Sequence, residues 1–110
     1  MNSIEHFING KTVKGSSKRT AKVFNPATGE VSSNVNLANT NDLNKAVDAA
    51  NKAFTSWSQK TPLFRARVLF KFKELIEKNY DELTKIIVSE HGKVYEDARG
   101  SLTRGLEVVE

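Results

Sequence analysis

Arg104-Gly105 is the pair in this 110-residue chain whose residue types most invite a chemical reading. Arginine presents a planar fork that meets a carboxylate with two hydrogen bonds. Glycine inside a helix costs about 1 kcal/mol relative to alanine, so its place beside the arginine asks for an offset. Close packing against another element would supply one, and the close approach of a ligand would supply another. Ala98, Leu102, Leu106 and Val109 mark one side of the helix expected there, and Arg104 falls on a different side, free to point into a groove. A surface arginine beside a packing glycine accounts for the same letters, and spacing does not choose between the two.

Other reactive residue types are scarce. The chain has no cysteine, which removes a thiol nucleophile, a thiolate metal site and a disulfide framework, and fits a reducing compartment. His6 and His91 are too far apart for a helical metal pair and no acidic cluster accompanies either, so no metal site is expected. The six glycines are scattered, and none follows the spacing of a phosphate-binding loop. Ser16-Ser17 has no histidine placed by any motif and reads as an ordinary polar loop. Arg67 through Lys78 reads as a solvated helix face with pairs such as Glu74–Lys78.

At 38% hydrophobic residues with two prolines, the composition is globular, and the length is that of one domain or part of a larger one. The net charge is +4, and the excess lies in a modestly basic first third: Lys11, Lys14, Lys18, Arg19 and Lys22. Nucleic-acid surfaces need a denser basic cluster, with stacking aromatics where single strands are gripped. Phe7 and Phe24 lie near this charge but read equally well as the inward side of strands, so no nucleic-acid partner is expected. The longest apolar run is three residues, and no basic segment precedes an apolar core at the start. Neither a membrane span nor a signal peptide is expected, and the expected location is cytoplasmic.

The elements that must position these residues come in two kinds. His6 to Val13 reads as a hairpin closed by Asn9-Gly10, the favoured pair for a type I′ turn. Ala21 to Phe24 is a further strand, stopped by Asn25-Pro26-Ala27-Thr28-Gly29. Val31, Val35 and Leu37 then recur at even spacing on a half-buried strand. Antiparallel strands are expected over residues 6–38. Near Thr40 the apolar period changes from two to 3.6. Leu43, Ala46, Val47, Ala50, Ala53, Phe54 and Trp57 form a helical stripe, with Thr40 a plausible N-cap and Asp42 suited to the helix start. Pro62 fits a first helical turn, and Val68, Leu69, Phe72, Leu75 and Ile76, widened by Phe64 and Phe70, form a face expected to be buried. A third helix is expected from about Asn79, with Glu82 in capping-box position, Leu83, Ile86 and Ile87 inward and Gly92 as its stop.

Helices are thus expected near 41–57, 62–78, 80–91 and 95–110, after an antiparallel β segment over 1–39. The last stripe runs into Val108-Val109-Glu110 without a closing signal, so the chain reads as the front part of something longer. Its broad apolar faces lead to an expectation of marginal stability and self-association.

Four short segments, in order, resemble the N-terminal region of the aldehyde dehydrogenase superfamily. They are Phe7-Ile8-Asn9-Gly10-Lys11, Phe24-Asn25-Pro26-Ala27-Thr28-Gly29-Glu30-Val31, the stripe from Ala46 to Trp57, and Glu90-x-Gly92-Lys93. Arg65 to Leu75 and Arg104-Gly105-Leu106-Glu107-Val108-Val109-Glu110 are similar to the CoA-acylating methylmalonate-semialdehyde dehydrogenases within it. The resemblance implies an α+β fragment of the α/β aldehyde dehydrogenase fold: N-terminal antiparallel strands and about four helices, an incomplete part of the NAD-binding domain. It implies a homo-oligomeric parent that oxidises methylmalonate or malonate semialdehyde with NAD, loses carbon dioxide and releases propionyl-CoA or acetyl-CoA. In that chemistry a cysteine thiol attacks the aldehyde, hydride passes to NAD and CoA takes the acyl group. By position, Arg104 would be the arginine that binds the substrate carboxylate, and Gly105 would keep the backbone beside it thin. The family's cysteine, cofactor glycines and lysine, and active-site asparagine match nothing in this chain. The isolated chain is therefore expected to be inactive and to bind neither NAD nor CoA. A free-standing α+β module that docks on a full-length dehydrogenase or another protein is the alternative.

Overall fold

The computed structural model describes residues 2–110. Five short strands, β1 (Asn2–Ile4), β2 (His6–Ile8), β3 (Lys11–Val13), β4 (Thr20–Phe24) and β5 (Val31–Asn36), precede four helices. The helices are α1 (Thr40–Trp57), α2 (Pro62–Lys78), α3 (Tyr80–His91) and α4 (Tyr95–Val109). The change of apolar period at Thr40 marks the change from strands to helices. The chain divides into two compact units, one of residues up to Phe24 with Glu30–Gln59, the other of Asn25–Gly29 with Lys60–Glu110.

In the first unit β2 and β3 form the expected hairpin, with Asn9 at φ 54° and Gly10 at φ 72° in the turn. Both values lie in the left-handed region that a type I′ turn requires. The other sheet has the order β1-β5-β4. β4 and β5 are antiparallel, with an irregularity at Val23/Phe24, but β1 runs parallel to β5, pairing Ile4 with Val35. The all-antiparallel expectation is corrected here. Three residues carry too short a pattern to announce a strand, and parallel pairing is a long-range choice that no local turn signals.

Phe7 and Phe24 are also corrected. They point outward, 75% and 53% exposed, while His6 and Ile8 on β2 and Ala21 and Val23 on β4 take the more buried side. Alternation fixes which residues share a side but not which side is covered.

α1 begins on a capping box one residue earlier than expected. Asn39, not Thr40, is the N-cap: its side chain accepts from Asp42 N at 3.0 Å, and Asp42 Oδ2 accepts from Asn39 N at 3.2 Å. Asp42 is 3% exposed and also receives Ser16 N at 2.7 Å and Ser16 Oγ at 2.8 Å. This carboxylate thereby ties the helix start to the segment after β3. Gly15 makes the approach possible at φ 80°, since a Cβ there would stand 2.8 Å from the His6 ring and 3.1 Å from Asp42 Oδ2.

In the second unit Thr61 caps α2, accepting from Phe64 N at 3.2 Å, with Pro62 in the first turn. The α2 face expected to be buried is covered only in part: Val68, Leu69, Phe72 and Leu75 are each about half exposed, while Ile76 is half-buried. Lys71 pairs with Glu74 at 2.6 Å and Lys73 with Glu77 and Glu110, replacing the expected Glu74–Lys78 pair. Asn79 makes no side-chain cap for α3, so the expected capping box is absent. Its amide instead donates to Leu75 O at 2.7 Å, closing α2. Gly92 ends α3 in the left-handed conformation, φ 78°, as expected. Of the α3 residues expected to face inward, Leu83 and Ile87 are half-buried and Ile86 is exposed.

Burial acts to raise the Asp42 pKa, but hydrogen bonds from the Ser16 side chain and from backbone N–H groups outweigh it and hold the carboxyl below its ordinary value of 3.8. A depressed folded-state pKa contributes stability that is present above the unfolded value and is lost as pH falls through the folded one. Asp42→Asn should therefore lower the melting temperature at neutral pH, with the gap from the parent chain narrowing below about pH 4. A gap of constant size through the acid range would show that the charge of Asp42 is not what holds this corner.

Candidate functional site

α4 carries Arg104, and its position depends on how α4 meets α3. Ala98 is fully buried, and Leu102, Leu106 and Val109 are half-buried, so the expected stripe is the packed side of α4. Thr84 on α3 is fully buried too, its hydroxyl donating to Tyr80 O at 2.8 Å. The Tyr80 hydroxyl reaches Arg99 O at 2.7 Å and the Thr103 hydroxyl at 2.7 Å, and Tyr95 donates to Asp81 at 3.1 Å. Burial and then the Asp81 hydrogen bond raise the Tyr95 pKa, so this phenol stays a donor at neutral pH. These contacts fix which side of α4 faces away.

Arg104 lies on that other side, exposed. Its Nη2 donates to Ser101 Oγ at 3.2 Å, one turn back. Lys93, half-buried in the short connection after Gly92, donates to the same hydroxyl at 3.0 Å. Ser101 in turn donates to Asp97 O at 3.2 Å. Among the described residues no carboxylate stands within ion-pair distance of Lys93 or Arg104; the ion pairs join Lys71–Glu74, Lys73–Glu77, Lys73–Glu110 and Arg99–Glu96. Two cations held on one neutral oxygen can take an anion with two oxygens, and a carboxylate is one.

Of the two offsets open to the glycine beside Arg104, packing within the chain is not seen. A Cβ on Gly105 would meet nothing within 4 Å, so no packing contact among the described residues accounts for it. Gly100 is the glycine near the guanidinium, where a Cβ would stand 3.4 Å from Arg104 Nη1. Sequence reasoning quoted Lys93 within a motif without giving it a role and passed over Ser101. The signal was the three-residue step from Ser101 to Arg104, which puts the two on neighbouring turns.

The remaining candidates make no comparable site. Among the described residues no group of three His, Asp or Glu could hold a metal, and no helix is long and apolar enough to cross a membrane. His6 Nε2 is buried without a hydrogen-bond partner, beside Gly15. Ser16 serves the Asp42 corner. A groove of about 910 Å³ opens between the β2–β3 hairpin and α1, with Lys11, Lys14, Lys45 and Lys52 on its lining. These lysines are exposed, as solvated rim residues are.

Residues 12–110 match the model of the Aldehyde dehydrogenase family, and the chain belongs to that family. It is 48% identical over 110 residues to the malonate-semialdehyde dehydrogenase of Pseudomonas aeruginosa, covering all of this chain and 22% of that protein. A Bacillus cereus malonate-semialdehyde dehydrogenase 2 is 45% identical over 107 residues, covering 97% of this chain and 22% of its own. The crystal structure of methylmalonate-semialdehyde dehydrogenase from Oceanimonas doudoroffii superposes with a TM-score of 0.95 at 48% identity, over 99% of this chain and 22% of that one. A Sinorhizobium meliloti protein assigned as a methylmalonate-semialdehyde dehydrogenase, solved in complex with NAD, gives 0.96 at 47% identity over the same shares. The chain thus spans about 22% of the length of the relatives it matches, and the strands-then-helices architecture is that of a segment of their fold.

The open space at Gly105 leads to a direct test. Gly105→Ala should stabilise this chain by about 0.5–1 kcal/mol through helix propensity, read as a higher urea midpoint with an unchanged slope. A lower midpoint would show that the glycine is needed by a contact within the chain.

Proposed function

We propose that this chain serves as the N-terminal segment of an NAD-dependent, CoA-acylating malonate- or methylmalonate-semialdehyde dehydrogenase, and that Arg104 binds the substrate carboxylate. The observation that carries the reading is the unneutralised guanidinium of Arg104 on the exposed side of α4, in a chain 48% identical to a malonate-semialdehyde dehydrogenase. Arg104 would grip the carboxylate end of the semialdehyde and so orient the aldehyde end. The thiol that attacks the aldehyde comes from outside these 110 residues, which contain no cysteine. The positive-φ glycines Gly10, Gly15, Gly29 and Gly92 lie at turns, a close approach and a helix end, which supports the reading that NAD and CoA would be held by other parts of such an enzyme. The segment would belong to the NAD-binding domain of a cytoplasmic homo-oligomer.

Two features support completion by further protein. α1 exposes Leu43, Val47 and Phe54, and α2 exposes Leu63, Phe64, Val68, Leu69, Phe70, Phe72 and Leu75. Arg65 Nε is buried without an acceptor, a situation that costs about 1–3 kcal/mol unless a partner supplies one. The same apolar faces also suit the alternative, a module that docks on an intact dehydrogenase.

A chimera separates the two. This chain replaces the matching segment of the Pseudomonas aeruginosa relative, and malonate-semialdehyde oxidation is followed through NAD reduction and acetyl-CoA release. An active chimera is expected. Arg104→Ala in it should lower kcat/KM about ten- to hundredfold for malonate semialdehyde, the worth of a charge-assisted bidentate contact, and leave propanal nearly unaffected. Arg104→Lys should recover little, because a point charge does not reproduce the fork. Equal losses for both aldehydes would remove Arg104 from the site. An inactive chimera, with the isolated chain binding the intact relative, would favour the docking module.

The isolated chain should show no saturable NAD binding in calorimetric titration at micromolar cofactor, and it should self-associate in sedimentation through the apolar faces of its helices. Micromolar NAD binding would place a cofactor site within these residues. A monomer with a sharp, concentration-independent thermal transition would favour the free-standing module.

A further inference from the structure

Ser101 spends its whole hydrogen-bonding capacity on three partners. Its hydroxyl donates to Asp97 O at 3.2 Å and accepts from Lys93 Nζ at 3.0 Å and Arg104 Nη2 at 3.2 Å. A serine hydroxyl has one donor and two acceptor positions, so both lone pairs are taken by cations. Lys93 and Arg104 therefore stand within two hydrogen-bond lengths of each other, with no side-chain carboxylate between them. Like charges held this close repel unless an anion joins them, and the repulsion grows as water is excluded. Lys93 is half-buried as a residue and reaches Ser101 from the connection after Gly92.

The backbone on either side of the pair is locally constrained. Gly92 turns the chain in the left-handed conformation immediately before Lys93, and a Cβ there would stand 2.9 Å from the Pro26 ring, so the turn is wedged as well as bent. Ala98, fully buried, pins the first turns of α4 from which Asp97 and Ser101 project. Gly100 leaves the space in which the guanidinium lies beside the helix. The two cations are thus held by a backbone that is itself held, as a preorganised anion site requires.

We infer that Lys93 is the second cation of the Arg104 carboxylate site, and that Ser101 is the positioning residue that holds the two together. The inference rests on the role proposed above for Arg104 and deepens it. Arg104 offers the fork, Lys93 adds a point charge from the α3–α4 connection, and the pair selects aldehydes that carry a carboxylate over those that do not. Ser101 touches no substrate in this arrangement. It sets the spacing of the two donors.

The test uses the same chimera, with KM and kcat measured for malonate semialdehyde and propanal. Lys93→Met keeps the aliphatic stem and removes the charge. It should raise KM for malonate semialdehyde about tenfold, with little change in kcat and none in the propanal parameters. Lys93→Arg should restore most of that loss. Lys93→Gln keeps a donor toward Ser101 without the charge, and should behave as Lys93→Met does even if the methionine variant proves unstable. Ser101→Ala should raise KM for malonate semialdehyde by a smaller factor, about threefold, again sparing propanal. If Arg104→Ala is selective for the carboxylate substrate while Lys93→Met and Lys93→Gln match the parent on both aldehydes, Arg104 acts alone and the paired site is overturned. If the Lys93 variants lose both substrates equally, Lys93 only braces the α3–α4 connection. If Arg104→Ala shows no selectivity, the underlying role of Arg104 fails and the pair fails with it.

Discussion

An amphipathic helix keeps its place only where something dry lies against its apolar side, and this chain covers very little of that side itself. Ala98 is the hydrophobic residue fully buried among those described, and Thr84 the largest fully buried side chain. Both belong to the α3–α4 pairing. Along α2 the aromatic and branched residues that should form a core stand about half exposed. A chain of this size gains its stability chiefly by burying such side chains, at roughly 1.5–3 kcal/mol each, against a backbone entropy cost that does not shrink when they stay wet. The helices are present because their local signals are sound, with caps at Asn39 and Thr61 and a left-handed stop at Gly92. The burial that would make them strongly cooperative is not supplied within the described residues, and the proposed place within a complete dehydrogenase would supply it.

Where apolar burial is thin, polar contacts carry more of the specification. Asp42 joins the N-cap of α1 to Ser16, so one carboxylate sets both the start of the helix and the path of the chain that leaves β3. Tyr80 does comparable work in the other unit, where one hydroxyl reaches two residues of α4. Such contacts add little net stability each. Their directionality, however, decides which geometry an under-packed unit adopts, because a misplaced partner leaves a polar group without one.

Most of the fold was legible in local signals and little of it in the long-range ones. The Asn9-Gly10 turn, Pro62, Gly92 and the Ala98–Val109 stripe each name a local geometry through sterics or periodicity, and each appears where that physics puts it. The parallel β1–β5 pair did not announce itself, since pairing across thirty residues leaves no mark in either three-residue segment. The outward Phe7 and Phe24 misled for a related reason: alternation defines two sides, and only the neighbours decide which one is dry. Asn39 against Thr40 was a contest between adjacent cap formers. It was settled by Asp42 three residues after Asn39, a relation that a capping-box search admitting aspartate would have found.

The site divides along the same line. Arg104 could be singled out because an arginine next to an in-helix glycine is locally odd, and the structure adds a second glycine to the picture: the guanidinium lies by Gly100, while Gly105 faces open space. Lys93 could not be joined to it by periodicity, because the two are separated by the end of one helix, a left-handed glycine and the start of the next. Only the packing of α4 on α3 turns that sequence distance into a shared hydroxyl. The neutrality of Ser101 then matters more than its hydrogen bonds. An acidic residue at that point would pair with both cations and close the proposed site, whereas a serine accepts from both and would leave their charge for an incoming anion.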